Sequence, residues 1–321
     1  MGEAAPLIAT AAAPIPEGGA AEWFEGAGGA RLRAALFPAK GPARGSVVLS
    51  GGRTEPIEKY FEVIGELQAR GFMVLAHDWR GQGLSQRLLA DPLHGHARGF
   101  RDFLTDHDRL LAAFEDRLPR PWLAVAHSMG GCLTLLVLAT GEDRFAGAVL
   151  SAPMLGIRTG ATPLPLAAAL AALFSALGMG GGPVAGRPRA PIEERFEDNV
   201  LTHDRARYER NQGQVAARPD LALGGPTWGW LNFAFSAMGL LRRGRGVTQI
   251  RTPVVIIAAM EDRIVDVAAQ RLVASRIPGA RFVEAPGAHH EILQETDEIR
   301  AVFWREFDAL ADRVAPTSPP A

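Results

Sequence analysis

Cysteine and lysine are nearly absent from this chain of 321 residues. The single cysteine, Cys132, excludes an internal disulfide framework and any metal site built from several cysteines. Lys40 and Lys59 are the only lysines among 34 basic residues, so arginine supplies almost all of the positive charge. The 35 acidic side chains bring the formal net charge to −1, which argues against nucleic acid as a partner because nucleic acid favours a basic face. With 47% hydrophobic and 21% charged residues, the composition is that of a globular protein.

The sequence also predicts no membrane-spanning helix and no secretory signal. The longest uncharged stretch lies between Arg158 and Arg187, but prolines and glycines limit its helical part to residues 164–177. At 1.5 Å per residue this helix is about 21 Å long, whereas a bilayer core is about 30 Å thick. We expect a buried helix or, because it is apolar on nearly every face, a lid helix that touches lipid. Residues 1–20 lack the basic start and apolar core of a signal peptide, so we expect a cytoplasmic protein, with peripheral membrane contact as the lid-helix alternative.

Apolar runs of strand length alternate with segments of helical spacing along most of the chain. Such alternation predicts a mostly parallel sheet with helices on both faces. The alternation stops between residues 154 and 250, where the sequence predicts helices but no convincing strand. We interpret this segment as a helical cap over the carboxyl edge of the sheet. The predicted organisation is a disordered tail at 1–20, an α/β core at 21–153 and 251–314, a cap at 154–250, and a disordered tail at 315–321.

A serine stands at the apex of a predicted strand–turn–helix unit. The strand Trp122–His127 runs into Ser128, Met129 and Gly130 and then into a helix. The pattern is G-x-S-x-G with Ala126 at its first position, which keeps the small residues that let strand and helix pass close together. It predicts a nucleophilic Ser128 held on a strained turn.

A serine nucleophile needs a histidine base and an acid that orients it, and in this fold the chain order is serine, acid, histidine. After the predicted strand 253–260 come Glu261, Asp262 and, further on, Asp266. We favour Asp262, because Asp266 stands at a helix start and is typical of a cap. After the strand 281–284 come His289 and His290, and the residue pattern leaves the choice between them open.

Ester hydrolysis also needs hydrogen-bond donors for the oxyanion. We predict the backbone N–H of Met129, which follows the nucleophile, as one donor. The second is assigned to the N–H of Arg53, in the loop after the strand 46–49, because Gly51 and Gly52 let the backbone approach a ligand there.

With these residues in place, the sequence resembles the α/β-hydrolases, and within them the lysophospholipase and monoacylglycerol-lipase branch, which carries a helical cap. The matching stretches are Gly52–Tyr60, Asp78–Ser85, Ala126–Gly131, Leu201–Tyr208, Pro226–Trp230, Glu261–Asp266 and His290–Leu293. The resemblance implies Ser128 as nucleophile, Asp262 as acid and His290 rather than His289 as base, since the family's histidine precedes Glu-Ile-Leu. It also implies Arg53 as an oxyanion donor. For Asp78 it implies a structural role, in which the carboxylate holds a glycine-rich turn.

The resemblance implies a serine hydrolase that cleaves carboxylic esters of acyl chains, lysophospholipase-like or monoacylglycerol-lipase-like. A small-ester carboxylesterase, a peptidase of the same fold, and a non-catalytic hydrolase-fold binding protein are the alternatives. An aromatic stretch in the cap predicts either an acyl pocket or core packing, and the residues proposed to line the pocket are Trp228, Trp230, Phe233 and Met238.

No cofactor and no metal are expected. His94 and His96 have no third ligand nearby in sequence, and phosphate-binding glycine motifs are absent. We expect a small-molecule or lipid ester as substrate, no nucleic acid and no obligate protein partner.

Overall fold

The computed structural model describes residues 2–184 and 195–317, and the strands in these ranges form one sheet. The strands are β1 (Ala4–Ala5), β2 (Ala20–Glu25), β3 (Arg31–Phe37), β4 (Gly45–Ser50), β5 (Phe72–His77), β6 (Trp122–His127), β7 (Phe145–Ser151), β8 (Val254–Ala259) and β9 (Arg281–Ala285). Their order across the sheet is β1-β2-β3-β5-β4-β6-β7-β8-β9. The first three strands pair antiparallel, and β3 joins β5 antiparallel; from β5 to β9 every neighbouring pair is parallel. The predicted mostly parallel sheet is confirmed.

The helices cover both faces of this sheet, as predicted. They are α1 (Phe61–Ala69), α2 (Arg101–Phe114), α3 (Ser128–Ala139), α4 (Leu164–Ala176), α5 (Arg205–Ala217), α6 (Trp228–Arg242), α7 (Val267–Ala274) and α8 (Asp297–Val314). Side chains of α1 and α8 belong to one buried cluster, and side chains of α2, α3, α6 and α7 belong to the other.

The central strands divide their side chains between these two clusters. On β4, Val47 and Leu49 lie in the cluster with α1 and α8, and Val48 lies in the cluster on the opposite face. Successive side chains of a strand point to opposite faces, so a strand covered on both sides is apolar at every position. This is why the strands are continuous apolar runs in the sequence.

The segment between β7 and β8 contributes helices α4, α5 and α6, and its described residues add no strand to the sheet. Residues 185–194 of the predicted cap lie outside the described residues. Helix α6 packs against the core and not in a separate cap, because Phe233, Ala237 and Leu241 are buried in the same cluster as side chains of α3. The carboxyl part of the predicted cap is therefore part of the packing of the sheet.

Helix α5 is fixed to the core by charge. Arg207 and Arg210 each lie 2.7 Å from a carboxylate oxygen of Glu62 on α1. Burial alone would raise the pKa of Glu62, but Arg207, Arg300 and Arg210 hold it at about 2. The carboxylate thus stays ionised at neutral pH and holds the insertion against the core.

Helix α4 has 13 residues. In the part of the chain that the structure describes, no helix combines the length and the apolar character needed to cross a membrane.

The expectation of a disordered segment at 1–20 is wrong. Ala4 and Ala5 pair with β2, and the amide of Ile8 donates to Glu58 Oε1 at 3.1 Å. Backbone pairing holds this segment, which composition does not reveal. At the other end, Ala315 is buried and its carbonyl accepts from Arg44 Nε at 2.8 Å, so the predicted tail does not begin there. Residues 318–321 of that tail lie outside the described residues.

A fully buried ion network joins the antiparallel edge to the parallel strands. The guanidinium of Arg33 on β3 lies 2.7 Å from Glu58 and 2.7 Å from Asp78, and all three side chains have no exposed surface. Asp78 also accepts the amides of Ile57 at 3.0 Å and Leu84 at 2.8 Å. The structural role implied for Asp78 is confirmed, since its carboxylate holds the turn and balances a buried cation.

Replacing Arg33 with methionine is expected to lower the free energy of unfolding by about 3–5 kcal/mol, because two buried carboxylates lose their cation. Arg31→Met is the matched control on the same strand, since Arg31 forms an exposed pair with Glu3 and should cost less than about 1 kcal/mol. Urea denaturation of the three proteins measures both values. Equal losses for the two variants would contradict the role given to the network.

Candidate active site

Ser128 lies between β6 and α3 in a backbone conformation that side-chain-bearing residues rarely adopt, with φ at 48°. Such a conformation is strained and persists only where the surrounding structure enforces it. A Cβ atom at Gly130 would overlap the carbonyl oxygens of Ser50 and Gly51 at the end of β4. The contact between strand and helix therefore requires a glycine at position 130, two residues after the serine. The predicted tight turn is present.

The structure brings Ser128, His290 and Asp262 into one hydrogen-bonded chain. Ser128 Oγ lies 2.9 Å from His290 Nε2, and His290 Nδ1 lies 2.6 Å from Asp262 Oδ2. With Nδ1 donating to the carboxylate, Nε2 is the nitrogen that accepts from the serine hydroxyl. All three residues are at most 7% exposed, so water competes little for these bonds.

Asp262 is held in its ionised form. Its Oδ1 accepts the amides of Ile264 at 2.7 Å and Val265 at 2.9 Å. Burial opposes the negative charge, but the contact with His290 and these amides outweigh it, and the pKa of Asp262 lies below its usual value. A fixed carboxylate orients the imidazole and stabilises its protonated form.

The other acids and the other histidine lie elsewhere. Asp266 caps α7 by accepting the amide of Ala268 at 2.9 Å, as the sequence predicted. Glu261 is 57% exposed, and its carboxylate lies 3.9 Å from His289 Nε2. The ring of His289 stacks on that of His203, with 3.8 Å between centroids. Burial, together with the charge of the neighbouring His203, lowers the pKa of His289.

The loop predicted to supply the second oxyanion donor passes close to the serine. A Cβ atom at Gly52 would lie 3.1 Å from Ser128 Cβ and 3.0 Å from His127 Nδ1. Thr54, two residues on, has a φ of 66°, a second strained position beside the site. The guanidinium of Arg53 donates to the carbonyl of Gly224 and lies 5.3 Å from the ring of Trp230. The donor roles of the Met129 and Arg53 amides stay predictions.

A buried charge cluster, made by Glu55, Lys59, Tyr60 and His127, supports this loop. Glu55 accepts hydrogen bonds from Lys59 Nζ at 2.8 Å and from the Tyr60 hydroxyl at 2.6 Å, and it lies 2.9 Å from His127 Nδ1. It also accepts from the amide of Gly52. Burial opposes ionisation of Glu55, but the charges of His127 and Lys59 hold its pKa well below the usual value.

The cluster extends to the loop that carries His290. Lys59 Nζ lies 2.5 Å from Glu291 Oε1, and His127 Nε2 lies 3.2 Å from the carbonyl of His290. Burial lowers the pKa of His127, but the charge of Glu55 more than compensates and the net shift is upward. Sequence analysis did not predict this cluster. The one signal for it in the sequence is Lys59, one of two lysines in an arginine-rich chain, which lies just before the start of helix α1.

The predicted pocket residues separate into two groups. Phe233 and Met238 are 1% and 3% exposed and lie in the core cluster, on the face that helix α6 turns towards α2 and α3, so their assignment to an acyl pocket stays a prediction. Trp230 lines, together with Met129, Gln82 and Phe103, a crevice that has no room for a water molecule. Trp228 stacks on Phe174 of α4, with 4.6 Å between ring centroids.

One group among the described residues has the donors for a metal ion. His203, Glu261 and His289 offer ligand atoms that all lie within 4.8 Å of one another. They come from the insertion and from the two loops beside the serine, which the expectation of no metal did not foresee.

Comparison with known proteins gives a consistent result. The model of the family described as "Serine aminopeptidase, S33" matches residues 41–297. The chain is 37% identical over 270 residues to lysophospholipase L2 of Escherichia coli K12, covering 80% of this chain and 77% of that protein. It is 26% identical over 282 residues to monoacylglycerol lipase of Mycolicibacterium smegmatis, covering 86% and 91%.

Solved structures agree on the fold. A soluble variant of monoglyceride lipase from Saccharomyces cerevisiae, in complex with a substrate analogue, matches with a TM-score of 0.70 at 19% identity, covering 91% of this chain and 95% of that one. A thermostable carboxyl esterase from Bacillus coagulans matches with a TM-score of 0.68 at 17% identity, covering 92% and 99%. These likenesses confirm the predicted α/β-hydrolase fold.

Replacing Gly52 with alanine is expected to lower kcat/KM for ester hydrolysis by about 10²-fold, since the added methyl group would overlap Glu55 Oε2, crowd His127 and Ser128, and so displace the loop. Gly65→Ala is the matched control, because a Cβ atom there meets no neighbour within 4 Å. Steady-state kinetics and thermal unfolding of both variants measure the effect. An unchanged kcat/KM in a folded Gly52→Ala protein would contradict the close approach.

Proposed function

The chain belongs to the α/β-hydrolase family described as serine aminopeptidase S33 and is a serine ester hydrolase, and we propose that it cleaves acyl esters of lysophospholipids or monoacylglycerols through Ser128, His290 and Asp262. The observation that carries this proposal is the hydrogen-bonded chain from Ser128 Oγ to His290 and on to Asp262, at 2.9 and 2.6 Å.

In the proposed reaction, Ser128 Oγ attacks the ester carbonyl while His290 Nε2 takes its proton. Asp262 holds the imidazole and stabilises the imidazolium that forms. His290 then protonates the leaving alcohol, and an acyl-enzyme remains on Ser128. Water attacks the acyl group with His290 as base, which releases the fatty acid and restores the serine.

The oxyanion of each tetrahedral intermediate is proposed to accept the backbone N–H groups of Met129 and Arg53. Met129 stands in the first turn of α3, where amides have no partner within the helix and the helix dipole favours negative charge. Arg53 follows Gly52, whose missing side chain lets the loop reach Ser128. The buried charge cluster around Glu55 would keep this loop in place during both steps.

The proposed substrate class is based on the names of similar proteins and not on a pocket in the structure. Proteins named lysophospholipase and monoacylglycerol lipase match most of this chain. A small-ester carboxylesterase is the second candidate, since a carboxyl esterase from Bacillus coagulans shares the fold.

Two measurements test the mechanism and the substrate class. Ser128→Ala is expected to lower kcat by about 10³-fold or more, because it removes the attacking oxygen, while Ser275→Ala should behave as wild type. Hydrolysis of p-nitrophenyl esters from acetyl to palmitoyl should peak at long chains, with turnover of lysophosphatidylcholine or monoacylglycerol.

The outcomes distinguish the alternatives. Retained turnover in a folded Ser128→Ala protein would remove the nucleophile assignment. A peak at acetyl or butyryl esters would favour the carboxylesterase, and turnover of an aminoacyl amide in preference to esters would favour a peptidase. Absence of any turnover by the wild type would favour a binding protein of this fold.

We also propose that α4 and the residues after it contact a lipid surface. Four of the seven large apolar side chains that are exposed among the described residues lie there, and they are Leu166, Leu173, Leu177 and Met179. Each is more than half exposed, whereas the buried residues of α4 are the small Ala167 and Ala171. Exposed apolar patches of this kind mark interaction surfaces, and a lipid surface would bury them.

Co-sedimentation with phosphatidylcholine vesicles tests this contact. Leu173→Glu combined with Leu177→Glu is expected to weaken binding by about 100-fold or more, since burial of two leucines contributes about 1.5–3 kcal/mol each and about 1.4 kcal/mol corresponds to tenfold. Leu272→Glu is the control, because Leu272 is exposed on α7. Equal binding of the double variant and the control, or no binding of the wild type, would contradict the proposal.

A further inference from the structure

His203, Glu261 and His289 are brought together by three distant parts of the chain. Glu261 directly precedes Asp262, His289 directly precedes His290, and His203 lies in the insertion. The rings of His203 and His289 are 3.8 Å apart, and His289 Nε2 lies 3.9 Å from Glu261 Oε2. This group stands beside the serine site without taking part in its hydrogen-bonded chain.

A buried carboxylate holds both histidines. Glu295 has no exposed surface; its Oε1 lies 2.9 Å from His203 Nδ1 and accepts the backbone amide of His289 at 2.8 Å, and its Oε2 accepts the amide of His203 at 2.9 Å. A carboxylate on the second ring nitrogen of a histidine is the usual support of a metal ligand, because it fixes the ring and its tautomer. It leaves Nε2 of His203 as the nitrogen for an ion.

The third ligand is tied to the same frame. The amide of Glu261 donates to the carbonyl of Ala288 at 2.9 Å, so the backbone positions of Glu261 and His289 are fixed relative to each other. In a tetrahedral zinc site with bonds of about 2.0–2.1 Å, ligand atoms are about 3.3 Å apart. The three ligand atoms lie within 4.8 Å of one another, so side-chain shifts of about 1.5 Å bring them to this spacing.

We propose that His203, His289 and Glu261 bind one divalent transition-metal ion, with zinc as the representative. Two imidazoles and one carboxylate suit zinc and its neighbours, whereas calcium and magnesium require sets of oxygen ligands. Water completes the coordination at the exposed side. The ion would join the insertion to the two loops that carry Asp262 and His290, so its role is to hold these parts together rather than to touch substrate.

The test uses the full chain after removal of metals with a chelator, and its readouts are zinc binding and thermal stability. Competition with a chromophoric zinc chelator should give one zinc ion per wild-type chain, and zinc should raise Tm while calcium and magnesium do not. His203→Gln keeps a donor for Glu295, and Glu261→Gln keeps size; each should weaken zinc binding by about tenfold or more and remove the Tm shift.

Two further variants make the result specific. His94→Gln is the matched control, since His94 lies beside a single carboxylate, Asp91, at 3.6 Å, and it should bind zinc as the wild type does. His290→Gln should also retain zinc. Zinc affinity of His203→Gln within twofold of wild type, or loss of zinc in His290→Gln with retention in His203→Gln, would overturn the proposal, as would no zinc bound by the wild type.

Discussion

The turn at Ser128 is the constraint on which the rest of the site depends. A φ of 48° at a serine is maintained only by the packing of β6, α3 and the end of β4 around it. This packing leaves no room for a Cβ atom at Gly130, and the loop that follows β4 passes beside Ser128 at Gly52. The strained turn, the loop and the serine hydroxyl are therefore positioned by the same contacts, and none can move alone.

Buried charge fixes the loops that packing alone would leave loose. Glu55, Lys59 and His127 tie the Gly52 loop to the serine turn, and Glu291 ties both to the loop that carries His290. Each carboxylate there faces a cation or several donors, which is the condition under which buried charge is tolerated. The chain keeps one of its two lysines at the centre of this cluster, where the flexible stem reaches two carboxylates at once.

Part of this arrangement was accessible from sequence because it is local. The strand β6 has the predicted bounds, and the serine turn and the Asp266 cap follow from neighbouring residues. Predictions that depended on which segments pack against each other were less accurate. Residues 4–8 were expected to be disordered because their composition is simple, yet β2 and Glu58 hold them. The burial of Phe233 and Met238 likewise depends on the orientation of α6.

The sequence by itself determined the fold class, the serine turn and the candidate acid and base, because each is encoded in a short stretch at the end of a strand, and parallel strands bring their carboxyl ends to one edge. The tertiary structure decided which side chains meet across long separations. It paired Asp262 with His290, placed Glu55 against the loop at Gly52, and brought His203 to Glu261 and His289. No local sequence pattern predicts such long-range contacts, since they depend on how the insertion and the loops pack against the sheet.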